Sequence, residues 1–329
     1  MKTKLLKCIR RCYRTFVRKT YPRWDWPSAG DWNETNRVLY DLLQKDEPCY
    51  IGRIGTCEGQ IVHNKLTIPT PPHKLGKVIK GCCDYITGNT KLPWWDKGRP
   101  FTDLQNNAGF FSTSGITEEA VERFADLYLH YIPIMDVCGR FEYYEKFLPF
   151  SSDCKMVQLE SLYPFFVERP WMLALKGKKV LVIHPFSETI KSQYEKRLNI
   201  FPNPDYLPEF DLKVYKAVQS IAGEKTAFKD WFEALDFMKN EISNIDFDVA
   251  IIGCGAYGLP LAGYIKEMLH KKAIHLGGGT QLLFGIKGKR WEVDYKNSCY
   301  RDMFNENWVY ANENERPQNA GKVEGGCYW

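Results

Sequence analysis

Gly253-x-Gly255-x-x-Gly258 directly follows the apolar run Val249 to Ile252, and apolar residues resume at helical spacing from Leu259 to Leu269. Strand, glycine turn and helix in that order suit a phosphate. Glycines permit positive φ and close backbone approach, and a helix N-terminus turns free N–H groups toward an anion. The run is continuously apolar, as in a strand covered on both faces, and Pro260 falls in the first helical turn, where a missing N–H costs nothing. The plainer alternative is that these glycines only make tight turns, because a lone motif of this kind is weak evidence.

The next strand, Lys272 to Leu276, decides which nucleotide is plausible. A dinucleotide site wants an acidic residue at its end to hold a ribose hydroxyl. Here Gly277, Gly278, Gly279, Thr280 and Gln281 follow instead, with Lys287, Lys289 and Arg290 beyond them. An NAD-dependent oxidoreductase or a methyltransferase is therefore disfavoured, and a larger anionic group held between two glycine turns is expected.

Two more strand ends carry polar residues, Arg53 to Glu58 and His184 to Ser187. Ligands of an open α/β sheet bind outside the carboxyl ends of its strands, so four such ends on one edge would make one site. Arg53 could pair with phosphate oxygens, and Glu58 could ligate a hard cation that bridges a diphosphate. Each has a bland alternative: an ion pair to a neighbouring loop for Arg53, a carboxylate on a helix N-terminus for Glu58. His184 could be a polar contact to nucleotide or acceptor, but its strand end before a proline reads first as a satisfied turn residue. Asn106 and Asn107 could meet sugar hydroxyls or simply make turns. Trp94, Trp95 and Tyr257 could stack on a sugar or base, or belong to the core. Asp103 and Glu160 are candidates for a general base.

Arg53-x-Gly55-x-x-Glu58, the late Gly-Cys-Gly-Ala-Tyr-Gly turn and the segment Gly277 to Trp291 together resemble bacterial GT-D-type glycosyltransferases and their relatives in surface-polysaccharide gene clusters. The resemblance covers roughly residues 45–292. It implies a single Rossmann-like domain, a nucleotide-sugar donor such as a UDP-hexose, a glycan or lipid-linked acceptor, and Mn²⁺ or Mg²⁺ bound through an Asp-x-Glu motif. Arg53, Gly55 and Glu58 match that pattern, whereas Thr56 stands where the family has its Asp. Either Glu58 suffices with the diphosphate, or Lys287 and Arg290 neutralise the leaving group without metal, or the chain binds donor without catalysis.

The elements that would position these residues are a mostly parallel sheet with helices on both faces. Strands are expected at Cys49 to Ile51, Ile132 to Val137, Lys155 to Gln158, Lys178 to Ile183 and Val249 to Ile252. Helices are expected around Asn36 to Leu43, after a Thr117 cap, after a Ser187 cap and from Phe228 to Ile242. This alternation is that of a parallel sheet. One domain spans 25–310, in halves of about 25–170 and 171–310, and the polar tail 311–329 is expected to be loosely held.

With 329 residues, 44% hydrophobic and 15% aromatic, the chain can bury a large core. Eleven cysteines are scattered without a CxxC pair, which suits a reduced cytoplasmic protein and gives zinc no spacing. No apolar run is long enough to span a bilayer, and residues 1–23 lack the features of a secretory signal. The net charge of +5 resides in residues 1–23, which hold nine basic side chains and no acidic one. Leu5, Leu6, Ile9, Tyr13, Phe16 and Val17 add an apolar stripe, the composition of a helix lying on an anionic membrane surface. A solvated helix packed on its own domain is the alternative. Nucleic acid is not expected as a partner, since the body lacks a basic stripe.

Overall fold

The structure is a computed structural model that describes residues 2–17, 32–67, 75–88, 98–294 and 300–329. Its strands are β1 (Tyr50–Gly52), β2 (Val137–Arg140), β3 (Lys155–Gln158), β4 (Lys179–His184), β5 (Asp211–Lys216), β6 (Val249–Ile252) and β7 (Lys272–His275). Its helices are α1 (Lys2–Val17), α2 (Trp32–Gln44), α3 (Thr56–Thr67), α4 (Leu75–Thr87), α5 (Gly98–Asp103), α6 (Glu118–Tyr131), α7 (Ser187–Glu195), α8 (Arg197–Ile200), α9 (Trp231–Ser243) and α10 (Gly258–Glu267).

The strands form one sheet in the order β3-β2-β1-β7-β6-β4-β5, every pairing parallel. Successive residues of a strand face opposite sides. Leu181 and Ile183 enter the apolar layer shared with α3, α6, α9 and α10, while Val180 and Val182 enter the layer shared with α2 and α7. Both faces are therefore covered, as an all-parallel sheet requires, and the fold is Rossmann-like α/β.

Local signals explain the element ends. Thr117 accepts the Ala120 N–H at 3.1 Å and caps α6, and Asp230 accepts the Glu233 N–H at 2.8 Å and caps α9. Three expectations are corrected. Residues 132–134 form a 3₁₀ turn and the strand begins only at Val137, because Pro133 offers no ladder donor. Edge strand β5 was not among the expected strands, because Asp211, Lys213 and Lys216 interrupt its apolar residues.

The third correction concerns the tail, which is packed, not loosely held. Val323 and Cys327 are buried in a small cluster with Ala222. Buried Glu315 accepts N–H bonds from Glu188 (2.8 Å) and Thr189 (3.2 Å). The free donors at the start of α7, expected to be capped by Ser187, are thus taken by a carboxylate from the tail.

Trp94, Trp95, Arg18, Lys19 and Arg23 lie outside the described residues. Among the described residues, no helix is long and apolar enough to cross a membrane.

Candidate functional site

Strands β1, β7, β6 and β4 are consecutive in the sheet, so the four polar strand ends fall on one edge. Together they wall a cavity of about 340 Å³. Arg53, Gly55, Glu58, His184, Gly253, Gly255, Tyr257, Gly277, Gly278, Gly279, Gln281 and Arg290 all line it.

Arg53 leaves β1 with its guanidinium 4.4 Å above the centre of the Phe141 ring and donates one N–H to the Ile54 carbonyl at 3.3 Å. Its Nε is buried and, among the described residues, has no hydrogen-bond partner. Trp329 also lines the cavity, and its indole N–H is likewise buried without a partner. An unmet buried donor is costly, and both of these belong to side chains that line the cavity.

Glu58 sits in the first turn of α3, where its carboxylate accepts its own N–H and that of Cys57. Burial raises its pKa, while those N–H groups and Arg53 pull the other way. The carboxylate folds back into the space that a β-carbon on Gly55 would fill. Thr56 is engaged too, donating its hydroxyl to Glu142 at 2.9 Å.

His184 ends β4, almost fully buried. Its Nδ1 accepts the Phe186 N–H at 3.0 Å, which places the ring proton on Nε2. Burial pushes its pKa down to about 3, so His184 is a neutral N–H donor at ordinary pH. His275, at the end of β7, also lines the cavity and was not singled out from sequence. Its Nδ1 lies 3.3 Å from the Ile252 carbonyl, and burial, then Arg53, lower its pKa to about 3.

The glycines serve side chains more than ligand. Gly277, with φ of +58°, leaves room for Arg53, whose nearest nitrogen would stand 3.3 Å from an added β-carbon. Gly278 lies under the ring of Tyr328 and Gly279 under that of Tyr163. Gly258 does not line the cavity; its missing side chain makes room for the His275 ring. Gly255, with φ of +59°, approaches the carbonyl of Ala108, which also lines the cavity. Of the side chains they admit, Arg53 was singled out from sequence, whereas His275, Tyr328 and Tyr163 were not, because nothing beside the glycines in sequence points to them.

Other expected residues are redeployed. Tyr257 stacks on Trp231 at 5.1 Å and shares a 2.9 Å hydrogen bond with Ser220, so its ring belongs to the core. Gln281 donates to the carbonyls of Ile286 and Tyr328, both at 3.2 Å, and so holds the tail. Lys287 lies outside the cavity, 3.2 Å from Glu292 and over the Tyr310 ring. Arg290 lines the cavity but is ion-paired with Glu324 and donates to the Tyr328 hydroxyl at 3.1 Å. Asp103 lies behind the wall near Cys57. Glu160 and Asn107 do line the cavity, while Asn106 does not.

A divalent ion fits this set poorly. Among the described residues no three His, Cys, Asp or Glu gather into a metal site. An ion on Glu58 would compete with two helix N–H groups and face Arg53, while Thr56, a weak neutral ligand, is already committed to Glu142. The chain matches no protein-family model, no curated protein and no solved structure.

Proposed function

We propose that this cavity binds the diphosphate of a nucleotide-sugar, UDP-linked or similar, and that the chain transfers the sugar to a hydroxyl of a glycan or lipid-linked acceptor. The observation that carries the reading is the Arg53 guanidinium on the wall of a cavity that also holds neutral His184. Phosphate oxygens are acceptors only, and a guanidinium matches them in charge and geometry. A cavity of about 340 Å³ is in the size range of small-molecule sites. The aromatic rings of Tyr163, Trp291 and Tyr300 on its wall suit a base or sugar face.

In such a transfer the acceptor oxygen bonds to the anomeric carbon, the carbon–oxygen bond to the diphosphate breaks, and the hydroxyl proton passes to a base. Glu160 is the cavity carboxylate assigned that proton, in place of Asp103. Arg53 and the His184 N–H steady the departing diphosphate, electrostatic work that a dry, preorganised site does best. No step is routed through a metal.

A second reading, a protein that binds donor without transferring it, is favoured by Thr56 and Glu58 both being spent inside the protein. Calorimetry with UDP-, GDP-, CDP- and dTDP-sugars, followed by an assay for released nucleoside diphosphate, separates the two. Binding with release supports transfer, and binding without release supports the second reading. Arg53→Gln is expected to weaken binding at least tenfold and chelation to leave it within twofold. NAD or S-adenosylmethionine binding in place of all four nucleotides would overturn both.

A further inference from the structure

Helix α1 packs beside α4, held by Arg10 over the ring of buried Tyr85 at 4.4 Å. The Arg14 guanidinium lies near Gly88, just past the end of α4. With Arg10 turned inward, Lys4, Lys7, Arg11 and Arg14 stay exposed, and α1 contains no acidic residue.

Leu5, Ile9 and Phe16, at spacings of four and seven, share one face of α1 and are 62%, 40% and 79% exposed. On the neighbouring helix α4, Leu75 and Ile79 are exposed as well, at 75% and 54%. Of the 13 large hydrophobic residues exposed among the described residues, five thus lie on this pair of packed helices. The cations of α1 occupy the side of the helix turned away from its apolar stripe. Apolar face down, basic face toward headgroups is the arrangement of a helix lying in a bilayer interface.

We propose that α1 and α4 together form a docking face for an anionic lipid bilayer, with Leu5, Ile9, Phe16, Leu75 and Ile79 entering the headgroup–acyl boundary. Charge complementarity selects this occupant. A second copy of the chain seated on the apolar stripe would leave the cations on the far side of α1 without counter-charge, and the headgroup layer around a half-sunk helix on an anionic bilayer supplies it.

The test is sedimentation of the full chain with vesicles of phosphatidylcholine alone or with 30% phosphatidylglycerol. Binding is expected only to the anionic vesicles and is expected to fall with salt. Each basic residue near such a surface is worth roughly fivefold in partition, so Lys7→Gln with Arg11→Gln is expected to lose about 25-fold. Leu75→Ser with Ile79→Ser is expected to lose about tenfold or more, with circular dichroism unchanged. Amide hydrogen exchange of the unaltered chain gives a readout independent of any variant: slowing in both 4–16 and 75–83 on anionic vesicles is expected. Equal binding to neutral vesicles, no binding, or slowing in α1 alone would overturn the proposal. So would a concentration-dependent dimer that the α4 variant dissolves.

Discussion

The Glu58 carboxylate occupies the space denied to Gly55: a β-carbon on the glycine would overlap it. The two residues form one device, in which an absent side chain lets a carboxylate reach back onto the N-terminus of its own helix. Gly55→Ala is therefore expected to displace the carboxylate and cost about 1–2 kcal/mol, read as a lower urea midpoint. Glu58→Gln, which keeps the shape, is expected to cost less. A Gly55→Ala chain as stable as the original would contradict the arrangement.

Glu145 supplies a pH dependence. Its Oε2 accepts the N–H groups of Phe141 (3.0 Å) and Glu142 (3.1 Å), while Oε1 is buried and, among the described residues, has no hydrogen-bond partner. Burial raises its pKa to about 7 from 4.5. The folded state then holds a proton that the unfolded state has released, so this contribution is whole below about pH 4.5 and is lost as pH rises toward 7. Urea midpoints measured from pH 4.5 to 8 are expected to carry this fall, on the order of 3 kcal/mol at most, and Glu145→Gln is expected to flatten it.

His184 is expected to behave as a fixed donor across the working range. With burial lowering its pKa to about 3, it is expected to offer the same N–H to a ligand from pH 5 to 8. Its ¹⁵N shifts should report protonation at Nε2 throughout. His184→Phe is expected to weaken nucleoside diphosphate binding by roughly tenfold to a hundredfold, the worth of one donor to a charged acceptor. A His184 signal that titrates near pH 6.5 would reject the assignment.

The tail is expected to be structural as well as part of the site. Removing residues 321–329 deletes buried Val323 and Cys327, the Tyr328 ring on Gly278 and the Glu324 partner of Arg290. A loss of about 3–5 kcal/mol should follow, together with faster proteolysis near Arg290. An unchanged thermal midpoint would mean that this packing contributes little.

What the sequence disclosed follows from what each part of the fold buries. Val249 to Ile252 and Lys179 to His184 were legible because both faces of a central parallel strand are apolar, which leaves a continuous run in the chain. Edge strand β5 carries no such run. Among site residues, Arg53, Glu58 and His184 could be found because strand ends in this architecture converge. The partners of the glycines could not, because nothing near Gly278 in sequence announces that Tyr328 will lie over it, or near Gly279 that Tyr163 will. Arg290 reads as a free cation until the fold brings Glu324 to it.

The pairing of β1 with β7 sets Tyr50 beside Ala273 and Ile51 beside Ile274. A ribosome delivers these partners more than two hundred residues apart. Until β7 emerges, β1 to β3 and β4 to β6 are two unjoined half-sheets, each with an open inner edge, and the cavity between them does not exist. Closure of so long a loop is slow, and unpaired parallel edges are sticky while they wait. The last central strand to be made is thus the keystone of the sheet, and a nascent chain that stalls before Lys272 presents two raw seams to its neighbours in place of a binding site.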